Sequence, residues 1–436
     1  MDLDLKQIKK VFFVGIGGIG ISAIARMFLQ EGKEVIGSDV SEGEVVKELR
    51  DAGAIVKIGQ GMDLIPRDAD LIVYTIAIEK YDPELFTALK SGSTPIRSYP
   101  EMLHIVTEGK YTIAVAGTHG KTTTTAMIAH VMKNAGKDPT VIVGSLMVNE
   151  KSNFIAGKSE YFVVEACEYR RSFLNINPKI LVITNIEADH LDYYKDVEEI
   201  KSAFKEMVAK VPADGFIVCN TSDAVVAEVV VGAQAKVVNY IDSYHKRELL
   251  IPGAHNQADA AAAASAAGLV GVETATIDQH LATFPGTWRR FEYKGQLGTG
   301  AQVYDDYAHH PTEVKATLQG FREIYPTGQK KITVVFQPHL YSRTKLLLQD
   351  FAEAFVQADS VILLPIYAAR EEDDGSISSE ILAEKMRPHT SDVYALPSFE
   401  EAFETLQRRA LGPDDVLVTM GAGEAFQIGE QLLTSK

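Results

Sequence analysis

Residues 112–123 read TIAVAGTHGKTT, and this stretch decides how the chain is expected to fold. A β-branched run is followed by a glycine-containing loop, and helical periodicity then continues to about Asn134. A strict GxxxxGK[ST] motif would need glycine at Val115, but the core GKT at residues 120–122 is kept. The pattern predicts a phosphate-binding loop between a strand and a helix. The structural alternative is an ordinary threonine-rich helix start.

The loop contains the groups that the phosphates of a bound nucleotide require. Backbone N–H groups and Lys121 can hold the β- and γ-phosphates, while the Thr122 hydroxyl reaches Mg²⁺. The residues expected to hold the nucleotide are Gly117, Thr118, His119, Gly120, Lys121, Thr122 and Thr123.

A second glycine motif, GIGGIG at residues 15–20, follows the run VFFV and precedes a helical segment. Asp39 closes the next predicted strand, 19 residues after Gly20. Glycines let the backbone approach a pyrophosphate, and an acid about 20 residues further on can reach a ribose hydroxyl. These residues are equally compatible with NAD and with a UDP-sugar. Tight packing of helix on strand, without a ligand, is the structural alternative.

Short apolar runs alternate with helical segments along most of the chain, which is typical of repeated βαβ units. The runs are VFFVG (11–15), EVIGSD (34–39), LIVYT (71–75), TIAVAG (112–117), TVIVG (140–144), YFVVEA (161–166), ILVITNI (180–186), ITVVFQP (332–338), SVILLPI (360–366), DVYALPS (392–398) and DVLVTMG (415–421). They show little alternation, which favours parallel sheets covered on both faces. We therefore predict an α/β protein with three domains in series, at residues 1–107, 108–288 and 289–436.

The composition and charge are those of a globular protein and disfavour nucleic-acid-binding and membrane-spanning classes. The 436 residues carry a formal charge of −16, which argues against a general nucleic-acid or anionic-membrane surface. Hydrophobic residues make up 46% and charged residues 23%, as in globular domains. Two cysteines provide no disulfide framework or zinc motif, and no uncharged stretch reaches the roughly 18 to 20 residues that span a bilayer. We expect a cytoplasmic protein with no membrane insertion.

Polar side chains gather where the predicted strands end. Glu165 follows YFVV, and His190 follows ILVIT within the run NIEADH. Because the carboxyl ends of parallel strands share one sheet edge, both could lie over the γ-phosphate and hold one or two Mg²⁺ ions. Further polar motifs adjoin later strands, namely PGAHN (252–256), WRRFE (288–292), YDDYAHHP (304–311) and QPHLYSR (337–343).

Seven motifs occur in an order that resembles the Mur ligase family, and the resemblance covers nearly the whole chain. They are GIGGIG, GTHGKT, NIEADHLDYY, PGAHN, RRFEYKG, YDDYAHHPTE and QPHLYSRT. The resemblance implies a Rossmann-like UDP-binding domain, a central P-loop ATPase-like domain and a C-terminal Rossmann-like domain. It also implies an ATP-dependent ligase of peptidoglycan precursor synthesis, which joins L-alanine to the carboxylate of UDP-N-acetylmuramate through an acyl phosphate and releases ADP and phosphate.

The resemblance also implies roles for individual residues. The UDP-sugar would be bound by Gly15, Gly17, Gly18, Gly20, Ser38 and Asp39, and the acceptor carboxylate or the alanine by Tyr307, His309, His339 and Arg343. Mg²⁺ would be bound by Thr122, Glu165 and His190, and adenosine by His255 and Asn256. The residues expected to act in catalysis are Lys121, Glu165, His190, Arg290, His309 and Arg343, with His309 as the candidate for taking the amine proton.

Three departures from the family pattern stand out. Leu340 replaces an arginine that often follows the histidine of QPH, and the segment between Asn220 and Pro252 is shorter than usual. Phe204 aligns with a lysine that is carbamylated in other members, so no such modification is expected, although Lys201 and Lys205 lie nearby.

Three alternative functions remain open from the residues. The first is a related ligase that attaches a tripeptide to the same sugar nucleotide. The second is an NAD-dependent oxidoreductase, which would use only GIGGIG and Asp39. The third is a nucleotide-binding protein that no longer turns over.

Overall fold

The computed structural model describes residues 3–191, 193–369 and 371–435. Three β-sheets follow one another along the chain, with five, seven and six strands. All but two of the paired strands run parallel to their neighbours, and helices connect most of them. The predicted α/β class with parallel-sheet domains in series is confirmed.

The first sheet is formed by the segment that carries the GIGGIG motif. Its elements are β1 (Lys10–Val14), α1 (Ile19–Gln30), β2 (Glu34–Asp39), α2 (Glu44–Asp51), β3 (Ile55–Ile58), a 3₁₀ turn (Met62–Leu64), β4 (Leu71–Tyr74), α3 (Ile78–Tyr81), α4 (Pro83–Ser91), β5 (Ile96–Ser98) and α5 (Tyr99–Thr107). The strand order is β3-β2-β1-β4-β5. Val11, Phe12 and Phe13 have no exposed surface, because β1 lies at the centre of this sheet and is covered on both faces.

The second sheet contains the phosphate-loop motif. Its elements are β6 (Tyr111–Ala116), α6 (Lys121–Asn134), β7 (Thr140–Met147), β8 (Ser152–Ile155), β9 (Tyr161–Glu165), a 3₁₀ segment (Tyr169–Asn175), β10 (Ile180–Ile183), α7 (Val197–Ala209), β11 (Phe216–Cys219), α8 (Ala224–Val230), β12 (Lys236–Asn239), α9 (Ala254–Leu269) and α10 (Thr274–Leu281). The strand order is β12-β11-β10-β6-β9-β7-β8, with β8 antiparallel to β7. The short segment 220–252 contributes one helix, α8, and one strand, β12, which pairs parallel to β11.

The third sheet follows the predicted break in the strand pattern. Its elements are β13 (Glu292–Gln296), β14 (Gln302–Asp306), α11 (Pro311–Ile324), β15 (Lys331–Phe336), α12 (Tyr341–Leu346), α13 (Leu348–Ala354), β16 (Ser360–Leu363), α14 (Ser379–Met386), β17 (Val393–Ala395), α15 (Phe399–Arg409), β18 (Asp415–Met420) and α16 (Phe426–Thr434). The strand order is β13-β14-β18-β15-β16-β17, with β13 antiparallel at the edge.

The chain divides into two compact units. The first contains the first two sheets, in the described residues up to 246 and in 259–282. The second contains residues 247–258 and the described residues from 283 onward. The predicted domain limits near residues 108 and 288 stay predictions. Among the described residues, no helix combines the length and the apolar character needed to cross a bilayer.

Candidate active site

The phosphate loop links β6 to α6 in the first unit, and its backbone depends on two glycines. Gly117 and Gly120 have positive φ angles of 139° and 79°, which side chains rarely tolerate. A Cβ at Gly120 would collide with the carboxylate of Asp259, and one at Gly117 would collide with the Thr184 hydroxyl. The loop therefore requires glycine at both positions.

Residues that follow β10 support this loop. The Asn185 side-chain oxygen accepts a hydrogen bond from the backbone N–H of His119 (2.9 Å), and the backbone N–H of Glu187 donates to the Thr118 hydroxyl (2.8 Å). The His119 ring lies 3.5 Å from the Glu187 carboxylate. The NIEADH motif thus fixes the loop conformation, and Thr118 and His119 contribute to this framework as well as to their predicted role in nucleotide binding.

Lys121 is held at the start of α6. Its ammonium donates to the carbonyl oxygens of Gly117 (2.5 Å) and Thr118 (2.9 Å), and lies 3.1 Å from a carboxylate oxygen of Glu168. Burial alone would lower the pKa of Lys121, but the negative charges of Glu168 and Glu165 outweigh it and raise that pKa. The ammonium therefore stays protonated, as binding of phosphate oxygens requires.

The predicted metal ligands Thr122 and Glu165 are in contact. The Thr122 hydroxyl donates to Glu165 Oε1 (3.1 Å), and the backbone N–H of Gly144 donates to Glu165 Oε2 (2.7 Å). A hydroxyl and a carboxylate beside a phosphate loop form an all-oxygen donor pair, which is the chemistry that Mg²⁺ prefers. These two residues fit the predicted magnesium site.

His190, the third predicted ligand, faces other carboxylates. Its Nε2 atom lies 3.8 Å from Glu168 Oε1 and 3.8 Å from Asp189 Oδ2, and its ring centre is 4.8 Å from that of Tyr169. The backbone of His190 has a positive φ of 53°, which is uncommon outside glycine. The geometry joins His190 to Lys121 through Glu168, so Glu168 stands between two predicted site residues.

Glu168 is a site residue that sequence reasoning did not select. Its side chain is only 3% exposed, and its backbone carbonyl accepts a hydrogen bond from the Tyr194 hydroxyl (2.5 Å). It lies three residues after Glu165 in the run EACE, at the same strand end. That proximity was the available signal, but a lone carboxylate in a sequence does not show that it pairs with a lysine 47 residues away.

The GIGGIG loop is held by β2. The Ser38 carbonyl accepts hydrogen bonds from the N–H groups of Gly15 (2.8 Å) and Ile16 (3.0 Å), while the Ser38 side chain is buried. One Asp39 oxygen accepts from the N–H of Gly17 (2.8 Å). Asp39 therefore shapes the glycine loop directly, and its predicted contact with a ribose stays a prediction.

The adjacent arginines Arg289 and Arg290 have different surroundings in the second unit. Arg289 is buried, and its guanidinium binds Asp305 (2.7 Å) and the carbonyl oxygen of Gly421 (2.6 Å). The Arg290 side chain is 28% exposed, lies 3.7 Å from Glu313, and packs with its guanidinium carbon 5.2 Å from the Tyr307 ring centre. Arg289 is thus part of the fold, and the catalytic role of Arg290 stays a prediction.

The predicted acceptor and alanine residues cluster after β14 and β15. His309 Nδ1 lies 3.0 Å from the Tyr307 carbonyl oxygen and 3.2 Å from Glu313. The His309 ring centre is 5.8 Å from that of His339, whose Nδ1 atom lies 3.1 Å from the Arg343 guanidinium. The structure therefore brings Tyr307, His309, His339 and Arg343 together within the second unit.

Two of the named departures have a structural context. Leu340, which follows His339, has a positive φ of 68°, and its carbonyl oxygen accepts a hydrogen bond from the Thr344 hydroxyl (2.8 Å). Phe204 is fully buried against Phe173, while Lys201 and Lys205 both bind Glu228 at 2.8 Å.

The predicted adenosine-binding pair lies at the start of α9. Burial lowers the pKa of His255 to about 4, so its ring is neutral near pH 7. The Asn256 side-chain amide donates to the carbonyl oxygen of Pro252 (2.5 Å). The pair is thereby fixed beside the PGAHN turn.

Comparison with known families gives matches along almost the whole chain. Residues 10–111 match the model for the Mur ligase family catalytic domain, residues 115–250 match the Mur ligase middle domain, and residues 289–423 match the Mur ligase glutamate ligase domain. The three matches correspond to the three sheets.

Similar proteins and structures extend this result. The chain is 41% identical to a UDP-N-acetylmuramate–L-alanine ligase of Clostridium novyi, covering 98% of both chains, and 40% identical to its counterpart in Clostridium perfringens, covering 98% of this chain and 99% of the relative. The crystal structure of UDP-N-acetylmuramate-alanine ligase from Thermotoga maritima superposes with a TM-score of 0.81, at 27% identity over 97% of this chain and 98% of that one. With its three sheets, its phosphate loop and these full-length likenesses, the chain belongs to the Mur ligase family.

Proposed function

We propose that this chain joins L-alanine to the carboxylate of UDP-N-acetylmuramate, with conversion of ATP to ADP and phosphate, as a step of peptidoglycan precursor synthesis in the cytoplasm. The observation that carries the proposal is the phosphate loop, in which the Lys121 ammonium and the contact between Thr122 and Glu165 lie side by side at the start of α6. Full-length relatives at about 40% identity are named for this reaction. An NAD-dependent oxidoreductase reaction would not use this phosphate loop.

The proposed chemistry has two steps. The acceptor carboxylate attacks the γ-phosphorus of ATP, which forms an acyl phosphate and releases ADP. The alanine amine then attacks the acyl carbon, so that the amide forms and phosphate leaves. Two anions must approach each other in the first step, and Lys121 and Arg290 supply positive charge to offset their repulsion.

Thr122, Glu165 and His190 are the residues that would hold Mg²⁺. When bound, the ion would neutralise the charge on the phosphate oxygens during transfer. The loop residues 117–123 would bind the ATP phosphates through their backbone N–H groups, with Gly120 and Lys121 at the helix start. His255 and Asn256 would bind the adenosine.

The remaining proposed roles concern the residues that bind the sugar nucleotide and those that bind the acceptor carboxylate or the alanine. The glycine loop at residues 15–20, with Ser38 and Asp39, would bind the UDP moiety. Tyr307, His339 and Arg343 would bind the acceptor carboxylate or the alanine. His309 would take the proton from the amine, since a neutral imidazole suits this role near pH 7.

The test is phosphate release from ATP and Mg²⁺ with UDP-N-acetylmuramate, in three parallel reactions. One contains L-alanine, one contains L-alanyl-D-glutamyl-diaminopimelate tripeptide, and one contains no amine. We expect release only with alanine, and a sugar nucleotide heavier by one alanyl residue. Release that required the tripeptide would reassign the chain to the related recycling reaction, and no release with either amine would refute the ligase proposal.

A further inference from the structure

Tyr99 lies at the functional edge of the first sheet but belongs to none of the motifs. It is the first residue of α5 and directly follows the end of β5 at Ser98. In a parallel sheet the carboxyl ends of the strands share one edge, so Tyr99 lies at the same edge as the GIGGIG loop. A capping box fixes its backbone, because the Ser98 N–H and hydroxyl donate to Glu101 at 2.6 and 2.7 Å.

The Tyr99 ring packs on Gly20, in the first turn of α1. A Cβ built at Gly20 would lie 2.7 Å from Cε1 and Cζ of the ring and 2.9 Å from the phenol oxygen. The last glycine of the motif therefore makes room for Tyr99. The phenol oxygen is consequently placed beside the N-terminus of α1, where backbone N–H groups of a dinucleotide-type motif meet a diphosphate.

The Tyr99 phenol also carries a hydrogen-bond donor at this position. A phenol with the ordinary tyrosine pKa of about 10 is protonated near pH 7, so the Tyr99 hydroxyl can donate a hydrogen bond. Within the described ranges 3–191, 193–369 and 371–435, the hydroxyl has no hydrogen-bond partner. A partly exposed side chain with an unused donor thus lies against the glycine loop.

We propose that Tyr99 binds substrate in this reaction, donating its phenol hydrogen to the diphosphate of the sugar nucleotide where that diphosphate meets the first turn of α1. The inference rests on the proposed function, because it takes the UDP-sugar as the ligand of the GIGGIG loop. Phosphate oxygens are the acceptors that fit, since the donor adjoins the N-terminus of α1, where the helix dipole and backbone N–H groups favour an anion. Tyr99 would thereby orient the sugar nucleotide at the first turn of α1.

The test compares Tyr99→Phe with wild type by calorimetric titration of UDP-N-acetylmuramate and of UDP alone. Phenylalanine keeps the ring on Gly20 and removes only the hydroxyl. The matched control is Tyr111→Phe, because Tyr111 begins β6 at the opposite end of a strand and packs edge-on against Tyr161. We expect Tyr99→Phe to bind both UDP ligands about tenfold more weakly, as for loss of a hydrogen bond to a charged group, with ATP affinity unchanged. In turnover, KM for the sugar nucleotide should rise by a similar factor with little change in kcat.

Each other outcome has a defined meaning. Wild-type affinity of Tyr99→Phe for both UDP ligands would overturn the role of Tyr99. Weaker binding of UDP-N-acetylmuramate with unchanged binding of UDP would overturn the diphosphate assignment, because the hydroxyl would then contact the sugar. Failure of the wild-type chain itself to bind either ligand would instead refute the proposed function.

Discussion

The ammonium of Lys121 lies 3.1 Å from the carboxylate of Glu168, and the two side chains are only 12% and 3% exposed. An enclosed charge is costly unless an opposite charge or several hydrogen bonds compensate it. Lys121 has both, because Gly117 and Thr118 add their carbonyl oxygens. Glu168 therefore positions the lysine that the phosphates of ATP are expected to contact.

Replacement of Lys121 by alanine should stop phosphate release and leave sugar-nucleotide binding nearly unchanged. The reason is that the phosphate loop follows β6 of the second sheet, whereas the GIGGIG loop follows β1 of the first. We expect a loss of at least about a thousandfold in rate, since the ammonium would act on the charge of the transferring phosphoryl group. The measurement is phosphate release with a parallel titration of UDP-N-acetylmuramate.

A suitable control is Lys133→Ala, at the other end of the same helix. Lys133 is 44% exposed and pairs with Glu150, so its removal should leave the rate near wild type. If Lys121→Ala also abolished sugar-nucleotide binding, the assignment of the two loops to two different substrates would be wrong.

Replacement of Glu168 by glutamine should lower the thermal unfolding midpoint. The amide keeps the shape of the side chain but leaves the Lys121 ammonium without its opposite charge, at a cost of about 1–3 kcal/mol. Saturating ATP with Mg²⁺ should recover part of the loss, because phosphate oxygens would supply the missing negative charge. Differential scanning fluorimetry with and without nucleotide measures both effects, and Glu150→Gln, in the exposed pair, is the control that should change little.

Replacement of Gly144 by alanine should raise the Mg²⁺ concentration needed for half-maximal rate. A Cβ at Gly144 would lie 2.5 Å from both carboxylate oxygens of Glu165, so the carboxylate must move away from Thr122. We expect a change of about tenfold or more, the size seen when a group that orients a metal ligand is removed. Gly268→Ala is the matched control, because a Cβ there meets nothing within 4 Å. If the rate of Gly144→Ala depended on Mg²⁺ concentration as in wild type, the assignment of Glu165 as a metal ligand would be wrong.

Most central strands of the three sheets could be predicted because they are buried on both faces, although β11 and β14 are absent from the predicted runs. β2 and β18, for example, begin where the runs EVIGSD and DVLVTMG begin. Three edge strands, β3, β12 and β13, were missed, since they alternate little and expose much of their length, whereas the edge strand β17 lies within the predicted run DVYALPS. Their pairing depends on neighbours from elsewhere in the chain, which a local apolar pattern does not reveal. The helical stretch after β15 is divided at Leu347, where the backbone leaves the helical region, so that α12 and α13 form in place of one helix.

The candidate site could be predicted where a local motif carries the chemistry, and not where two distant residues create it. The position of GKT (120–122) and of Glu165 after predicted strands indicates a phosphate-binding site in the sequence itself. Glu168 became a candidate only because it contacts Lys121, and Tyr99 only because it contacts Gly20. In both pairs the two residues are distant in sequence. Contacts of this kind arise from the fold, so a single sequence without aligned relatives does not contain a visible signal for them.

The neighbouring arginines should separate stability from activity. Arg289→Lys should destabilise the second unit by about 3 kcal/mol or more, because one lysine ammonium cannot replace a guanidinium that binds Asp305 and the carbonyl oxygens of Gly421 and Gly423. Arg290→Lys should unfold near the wild-type temperature and lose rate. Thermal unfolding and phosphate release measured on both variants test this, and a reversed pattern would exchange the roles of the two residues.

His255 should make the protein less stable as the pH falls from about 6.5 to about 4. Burial, together with the positive charge of Arg290, lowers the pKa of His255 to about 4 in the folded state, although Glu313 acts in the opposite direction. The unfolded chain keeps a histidine pKa near about 6.5, so on acidification the unfolded state binds a proton first and unfolding is favoured. The contribution amounts to up to about 3 kcal/mol and is fully present only above pH 6.5. The measurement is chemical denaturation at pH 7.5, 5.5 and 4.5. Over this range the free energy of unfolding should fall more for wild type than for His255→Gln, because all other titrating groups are the same in the two proteins. If the free energy of unfolding fell equally with pH in both proteins, the His255 ring would be charged in the folded state. A cationic ring would contradict the proposal that His255 contacts adenosine as a neutral group.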